Sequence, residues 1–200
     1  MILTEQQSDS LTELINIAFS RTAAALSDLT GQRVFMDMPE IAIYPIADLV
    51  GALETVVPEE ITTVHQIFEG PVGGDALLLL DYEGAVKLAE MLTDEHHATH
   101  RLDASDREVL TEVGNILLNA CLSMFGNILE VHVSFSVPRL RLEALSQLLE
   151  SLIIRKEGLR YALVAHTAFR LHDSAVEGHL IIVLGVTALD RLLQAVDTLG

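Results

Sequence analysis

The chain has no tryptophan, a single cysteine, few aromatic residues and few basic ones. Each shortage excludes something. One Cys121 cannot form an internal disulfide framework, and its solitary thiol suits a reducing compartment. With aromatic residues at 4% and hydrophobic residues at 50%, the core must be aliphatic. Twelve Lys and Arg against 29 Asp and Glu leave a net charge of −17. Such acidity repels phosphate backbones and anionic lipid surfaces, so neither nucleic acid nor membrane is an expected partner. The opening residues Met1-Ile2-Leu3-Thr4-Glu5 lack the basic start and apolar run of a signal peptide. The longest uncharged stretch, residues 113–129, includes Asn115, Asn119, Ser123 and Asn127 and falls short of the ~20 apolar residues that span a bilayer. A cytoplasmic protein is expected.

What is present is one pattern that occurs twice. Asp9-x3-Glu13-x2-Asn16 is followed by 22 residues and then Pro39, and Glu108-x3-Glu112-x2-Asn115 by 22 residues and then Pro138. Glu13 to Glu112, Asn16 to Asn115 and Pro39 to Pro138 are each 99 positions apart, about half the chain. A constant offset of this kind points to an internal duplication.

Hydrophobic periodicity predicts a helix over 5–28, a strand over 34–43, a helix over 46–53, strands over 61–69 and 76–81, and a helix over 83–93. Thr4 with Gln7 forms a capping-box pair, and Gly31 is a helix stop. A polar connector at 94–103 leads to a helix over 105–125, opened by Ser105 with Glu108. A strand over 129–137, a helix over 141–152, strands over 160–171 and 179–184 and a helix over 187–199 follow. The expected fold is a single α/β domain over 1–200 with pseudo-twofold symmetry. Its halves, 1–93 and 104–200, each run helix, strand, helix, strand, strand, helix and pool an antiparallel-rich sheet, with the two long helices bearing the motifs.

A helix turns about 100° per residue, so Glu13 falls about 40° to one side of Asp9 and Asn16 about 20° to the other. Leu11, Leu14, Ile15, Ala18, Thr22, Ala25 and Leu29 lie across from that stripe. Glu108, Glu112 and Asn115 likewise share a stripe opposite Leu110, Val113, Leu117, Cys121 and Met124, which makes Cys121 a packing residue. If the apolar stripes face the core, both polar triplets face solvent. An ordinary solvated surface would explain a Glu and an Asn on a helix. It would not explain why a mediocre helix former such as Asn recurs there. Nor would it explain identical Glu, Asn and Pro spacing, since each residue type occurs at roughly 5%.

Neutral Asn is no general base. Its carboxamide can hold a water with one hydrogen bond donated and one accepted. That ability suits a reaction in which a partner supplies the electrophile and the metal, such as phosphoryl transfer to a placed water. Glu can meanwhile grip a cation on the partner and set the register of the amide.

The doubled Glu-x2-Asn-x22-Pro spacing, led by an acidic residue four positions before each Glu, resembles the CheC/CheX/FliY family of phosphatases. The segments ELINIAFSRTAAALSDLTGQRV and EVGNILLNACLSMFGNILEV are similar to that family's two long helices. The resemblance spans essentially the whole chain, and the two motif copies point to a CheC-type arrangement. It implies hydrolysis of the aspartyl-phosphate of a response-regulator receiver domain such as CheY. On that resemblance Asn16 and Asn115 orient the water, and Glu13 and Glu112 engage the receiver's active-site lysine. Asp9 and Glu108 contact the partner, and Glu108 stands where the family pattern has Asp or Ser. The protein needs no cofactor of its own, Mg²⁺ being expected on the receiver. A non-catalytic role docking a receiver or the deamidase CheD is the alternative. Pro39 and Pro138 are read as shaping the strand after each long helix, because proline lacks a ladder donor.

Other candidates carry less. His96, His97 and His100 lie in a polar connector without ligand spacing of a known type, so no metal is expected. Gly70-x2-Gly73-Gly74 falls between two expected strands and lacks the Lys-Ser/Thr of a phosphate loop, so it reads as a turn.

Overall fold

The structure, a computed structural model, describes residues 3–93, 101–154 and 160–198. Its first helix, α1 (Glu5–Thr30), opens with Thr4 accepting from the Gln7 N–H while the Gln7 side chain accepts from the Thr4 N–H. It closes at Gly31, whose left-handed φ of 69° glycine adopts without a Cβ penalty. There follow β1 (Val34–Met36), β2 (Glu40–Pro45), α2 (Ile46–Leu53), β3 (Glu60–Glu69), β4 (Gly74–Asp81) and α3 (Tyr82–Thr93). The second run is α4 (Ala104–Ile128), β5 (Ser134–Phe135), β6 (Arg139–Ala144), α5 (Leu145–Ile154), β7 (Arg160–Leu171), β8 (Ser174–Gly185) and α6 (Val186–Asp197). The order in each run is helix, strand, strand, helix, strand, strand, helix, one strand more than the sequence suggested.

The extra strands arise at the two prolines. The strand expected over 34–43 is broken between β1 and β2, where Pro39 is buried and has no N–H to donate. The strand expected over 129–137 shrinks to β5. Residues before it turn the chain out of α4, with the Val131 N–H bonding Gly126 O at 2.9 Å and Glu130 at a φ of 53°. The helix expected from residue 141 begins at Leu145. Arg139–Ala144 alternate charged and apolar side chains, a period-two pattern that pairs with β3 as an edge strand. Asp103 and Asp106 form the capping box of α4, in place of Ser105 and Glu108.

The strands form one sheet in the order β1-β7-β8-β4-β3-β5, with β2 also on β7 and β6 also on β3. Every pairing is antiparallel. The short strands of each run therefore lie against the long hairpin of the other, and β4 with β8 joins the two hairpins at the centre. Alternation along the strands supplies two apolar faces. Val64, Leu78, Leu80, Leu163, Phe169 and Ile182 pack under α1, α3, α4 and α6. Leu77, Leu79, Ala162, Val164, Ile181 and Val183 pack under α2 and α5. By length and composition α4 could cross a bilayer, contrary to the count of uncharged residues, but 56% of that apolar window is buried inside the protein. Cys121 is fully buried within α4, and burial pushes its thiol far up from the usual range, which leaves it a packing residue.

The contact between α4 and β3 is tight at Gly114, where an added Cβ would come 2.4 Å from Val64 Cγ1. Gly114→Ala should destabilise the fold by about 1–2 kcal/mol net, overpacking outweighing the ~1 kcal/mol helix-propensity gain. Urea unfolding measures this, and adding Val64→Ala should recover part of the loss.

On the face covered by α2 and α5, the His166 imidazole meets the Glu177 carboxylate at 2.8 Å and lies 4.8 Å, ring to ring, from His179. Burial pushes His179 down from 6.5 to about 4; His166 adds to the effect and Asp81 opposes it. The unfolded chain takes up this proton near 6.5 and the folded protein only near 4, so stability should fall as pH drops through that window. The expected loss is roughly 1–3 kcal/mol. Urea titrations at pH 7 and pH 4.5 should show a smaller pH difference for His179→Gln than for the parent.

Candidate functional site

Phasing on α1 follows from its buried residues. Leu11, Ile15, Ala18, Phe19, Thr22 and Leu26 face the sheet, which turns Asp9 and Glu13 fully outward and leaves Asn16 half-buried at the margin. Leu29, expected on the core stripe, is 64% exposed because the last turn runs past the edge of the packed layer. On α4 the residues Leu110, Val113, Leu117, Cys121 and Met124 are all buried. Glu108 and Glu112 are exposed, and Asn115 is half-buried. The two helices pack against each other on one face of the sheet, so each carries its own Glu-Asn stripe at the protein surface. Pro39 and Pro138 sit immediately before β2 and β6, in the breaks between paired strand segments.

The stripes differ in their surroundings. Asn115 donates from Nδ2 to Glu112 Oε2 at 3.4 Å and accepts at Oδ1 from Asn119 Nδ2 at 2.8 Å. Asn119 in turn accepts from Gln66 Nε2 at 3.2 Å, and that nitrogen also donates to the Ser136 carbonyl at 2.9 Å. Gln66 lies on β3 and is 2% exposed. Among the described residues Glu13 and Asn16 make no side-chain hydrogen bond, and Ser20 stands 99 positions before Asn119. Asn119 was detectable from the sequence as the next residue on the Asn115 stripe, four positions on. Gln66 was not, because only the sheet brings β3 beneath that turn of α4.

The motifs lie on a convex helical surface. A cavity of about 700 Å³ lies elsewhere, on the α2 side of the sheet, lined by Tyr44, Leu53, Val56, Val164, His166 and His179 among others and by no motif residue. An exposed carboxylate beside an amide on a convex surface cannot enclose a small substrate. It can be pressed into a site on another protein. His96, His97 and His100 lie outside the described residues.

No model of a known protein family matches the chain. It is 22% identical to the CheY-P phosphatase CheC of Bacillus subtilis (strain 168) over 200 residues, covering 96% of this chain and 95% of CheC. It is 23% identical over 142 residues to the flagellar motor switch phosphatase FliY of the same organism, covering 70% of this chain. The match takes in 36% of FliY, so the chain spans about a third of that relative. Among solved structures, FliY of Thermotoga maritima superposes with a TM-score of 0.77 at 15% identity, covering 99% of both chains. FliM in a FliG–FliM complex from H. pylori gives 0.64 at 11% identity, covering 96% of this chain and 100% of that one. A CheX–CheY–BeF3–Mg²⁺ complex from Borrelia burgdorferi gives 0.50 at 17% identity, covering 84% and 96%. The likeness to FliY shows the fold to be a mixed α/β domain with a curled antiparallel sheet. With the sequence matches, it makes this chain a homologue of the phosphatases CheC and FliY.

Proposed function

We propose that this protein is a phosphatase acting on the aspartyl-phosphate of a receiver domain. The observation that carries the reading is the pair of matched Glu-Asn stripes on the solvent side of α1 and α4, in a chain homologous to CheC along its length. The CheX–CheY complex adds support for a CheY-like receiver as partner.

In this reading the receiver brings the phosphoryl group, its aspartate leaving group and Mg²⁺, which neutralises charge on the phosphoryl oxygens. Asn16 or Asn115 holds the attacking water in line, accepting one of its hydrogens and donating to its oxygen. As the water oxygen bonds phosphorus, the bond to the aspartate oxygen breaks and its electron pair restores the carboxylate. The water's proton leaves with inorganic phosphate or to solvent. Glu13 or Glu112 pairs with the receiver's lysine, with Asp9 and Glu108 beside it at the contact. Both carboxylates are exposed, so their attraction to a lysine is screened by salt.

The Asn16→Ala, Asn115→Ala double variant should lose about 10²-fold or more of the rate at which a phosphorylated receiver decays. Its affinity for a BeF3-activated receiver should stay within a few-fold. Undiminished decay would overturn the roles given to the two amides. Glu13→Ala with Glu112→Ala should weaken the complex several-fold in low salt and much less in ~0.5 M salt, as calorimetry can measure.

A second reading is a docking module without turnover, engaging a receiver or CheD. It is favoured by the fold shared with FliM, which in the H. pylori structure is bound to FliG. Substoichiometric protein added to a phosphorylated receiver with Mg²⁺ separates the two. Multiple turnovers support the phosphatase, whereas stoichiometric protection or no effect supports the module.

A further inference from the structure

We infer that Asn119 and Gln66 are positioning residues for Asn115; the inference rests on the phosphatase reading above. Its basis is the polarity of the hydrogen-bond chain beneath the second stripe. The Ser136 carbonyl can only accept, so the Gln66 group that meets it at 2.9 Å is the nitrogen Nε2. That nitrogen's other hydrogen goes to Asn119 Oδ1 at 3.2 Å. Asn119 must then turn Nδ2 toward Asn115, and it donates to Oδ1 at 2.8 Å. Asn115 is left with Nδ2 facing the Glu112 carboxylate at 3.4 Å, a second group that only accepts when ionised. Acceptors at both ends allow the three amides one mutually consistent orientation. Reversing any of them sets oxygen against oxygen or nitrogen against nitrogen.

The anchor of this chain is bonded to β3. Ser136 exchanges two bonds with Ile67, its hydroxyl accepting from the Ile67 N–H at 2.9 Å and its own N–H donating to Ile67 O at 2.8 Å. Gln66 is buried on β3, paired with Ala76 of β4 on one side and facing the break between β5 and β6 on the other. Its Oε1 is also buried and has no hydrogen-bond partner among the described residues. A buried, unpaired oxygen costs stability, so packing alone does not account for an amide at this position. What the amide gains is a fixed orientation for the exposed end of the chain. A residue that must place a water needs its N–H and its oxygen held in known positions before the partner arrives. Asn115 has that pre-organisation. Asn16 does not, since Ser20 replaces the neighbouring amide and Asn16 must be oriented by the partner itself.

The test isolates each copy. In an Asn16→Ala protein, where the second stripe alone works, Asn119→Ala should lower kcat about tenfold with KM for the phosphorylated receiver changed less than twofold. Asn119→Asp removes the donor and sets a carboxylate against Asn115 Oδ1, so its loss should be at least as large. Once Asn115 is itself Ala, Asn119→Ala should add nothing, because the amide it orients is gone. Side-chain amide NMR of the free protein reads the same point without activity. The Asn115 carboxamide should be ordered, and in the Asn119→Ala variant it should become as mobile as that of Asn16. A mobile Asn115 amide in the parent, equal kcat losses in both backgrounds, or a loss confined to KM would each overturn the inference. An ordered Asn115 amide in a protein whose double Asn variant still dephosphorylates the receiver would leave the positioning intact and discard the phosphatase roles.

Discussion

The antiparallel pairing of β4 with β8, from Gly74 opposite Leu184 to Leu79 opposite His179, holds the rest of the architecture together. It joins two long hairpins that would otherwise be separate ribbons, and it buries both strands on both faces. Its closeness shows at Gly74, where a Cβ would strike the Val183 carbonyl. With the centre closed, the apolar stripes of α1 and α4 have one place to go. That fixes their polar stripes at the surface, whatever chemistry those stripes carry out. Position comes from the core and chemistry from what the core leaves over.

Much of this was legible in the sequence because it rests on local rules. The Thr4–Gln7 capping box, the Gly31 stop and the helical phase of Leu11, Ile15, Leu110, Val113 and Leu117 are short-range patterns. Errors gathered where tertiary pairing overrode them. Arg139–Ala144 has a strand's alternation but no hydrophobic strength of its own, and it becomes β6 because β3 offers an unpaired edge. Phe19 lies at the margin of the apolar stripe and is fully buried, while Leu29 lies within the expected stripe and is exposed. Helical phase is right in direction and blind to where the neighbouring layer stops. At the candidate site, the Glu and Asn of each copy could be read from spacing. The Gln66 beneath the second copy could not, since β3 and α4 approach only in the folded chain.

The matched stripes are alike in sequence and unlike in support. Identity of motif residues says nothing about the layer under them, and that layer belongs to different strands in each case. Beneath Asn115 lie an amide chain and a backbone carbonyl. In the region joining β1 and β2, the Asp37 side chain holds Arg170 in a two-pronged ion pair, Nε meeting Oδ1 and Nη2 meeting Oδ2, each at 2.7 Å. The guanidinium holds the Asp37 carboxyl below its usual range. Ser136, 99 positions later, bonds β3 through Ile67 and Gln66 as the Asp37 backbone bonds β7 through Ala168 and Thr167, but its side chain accepts from the Ile67 N–H. Two positions at the motifs' 99-residue offset thus share a backbone tie to a long strand and differ in their side chains, an ion pair in one and a bond to the strand in the other.

The exchange of short strands between the runs has a consequence for how the molecule can be assembled. Neither run contains a complete sheet: β1 and β2 find their partner on β7, and β5 and β6 find theirs on β3. Each run by itself would expose a long hairpin with a bare edge and two strands with nothing to pair with. Cutting the backbone between α3 and α4 would leave every strand pairing intact, yet neither fragment could satisfy its own edges. The two pieces would therefore be obligate complements, folding on meeting rather than before it.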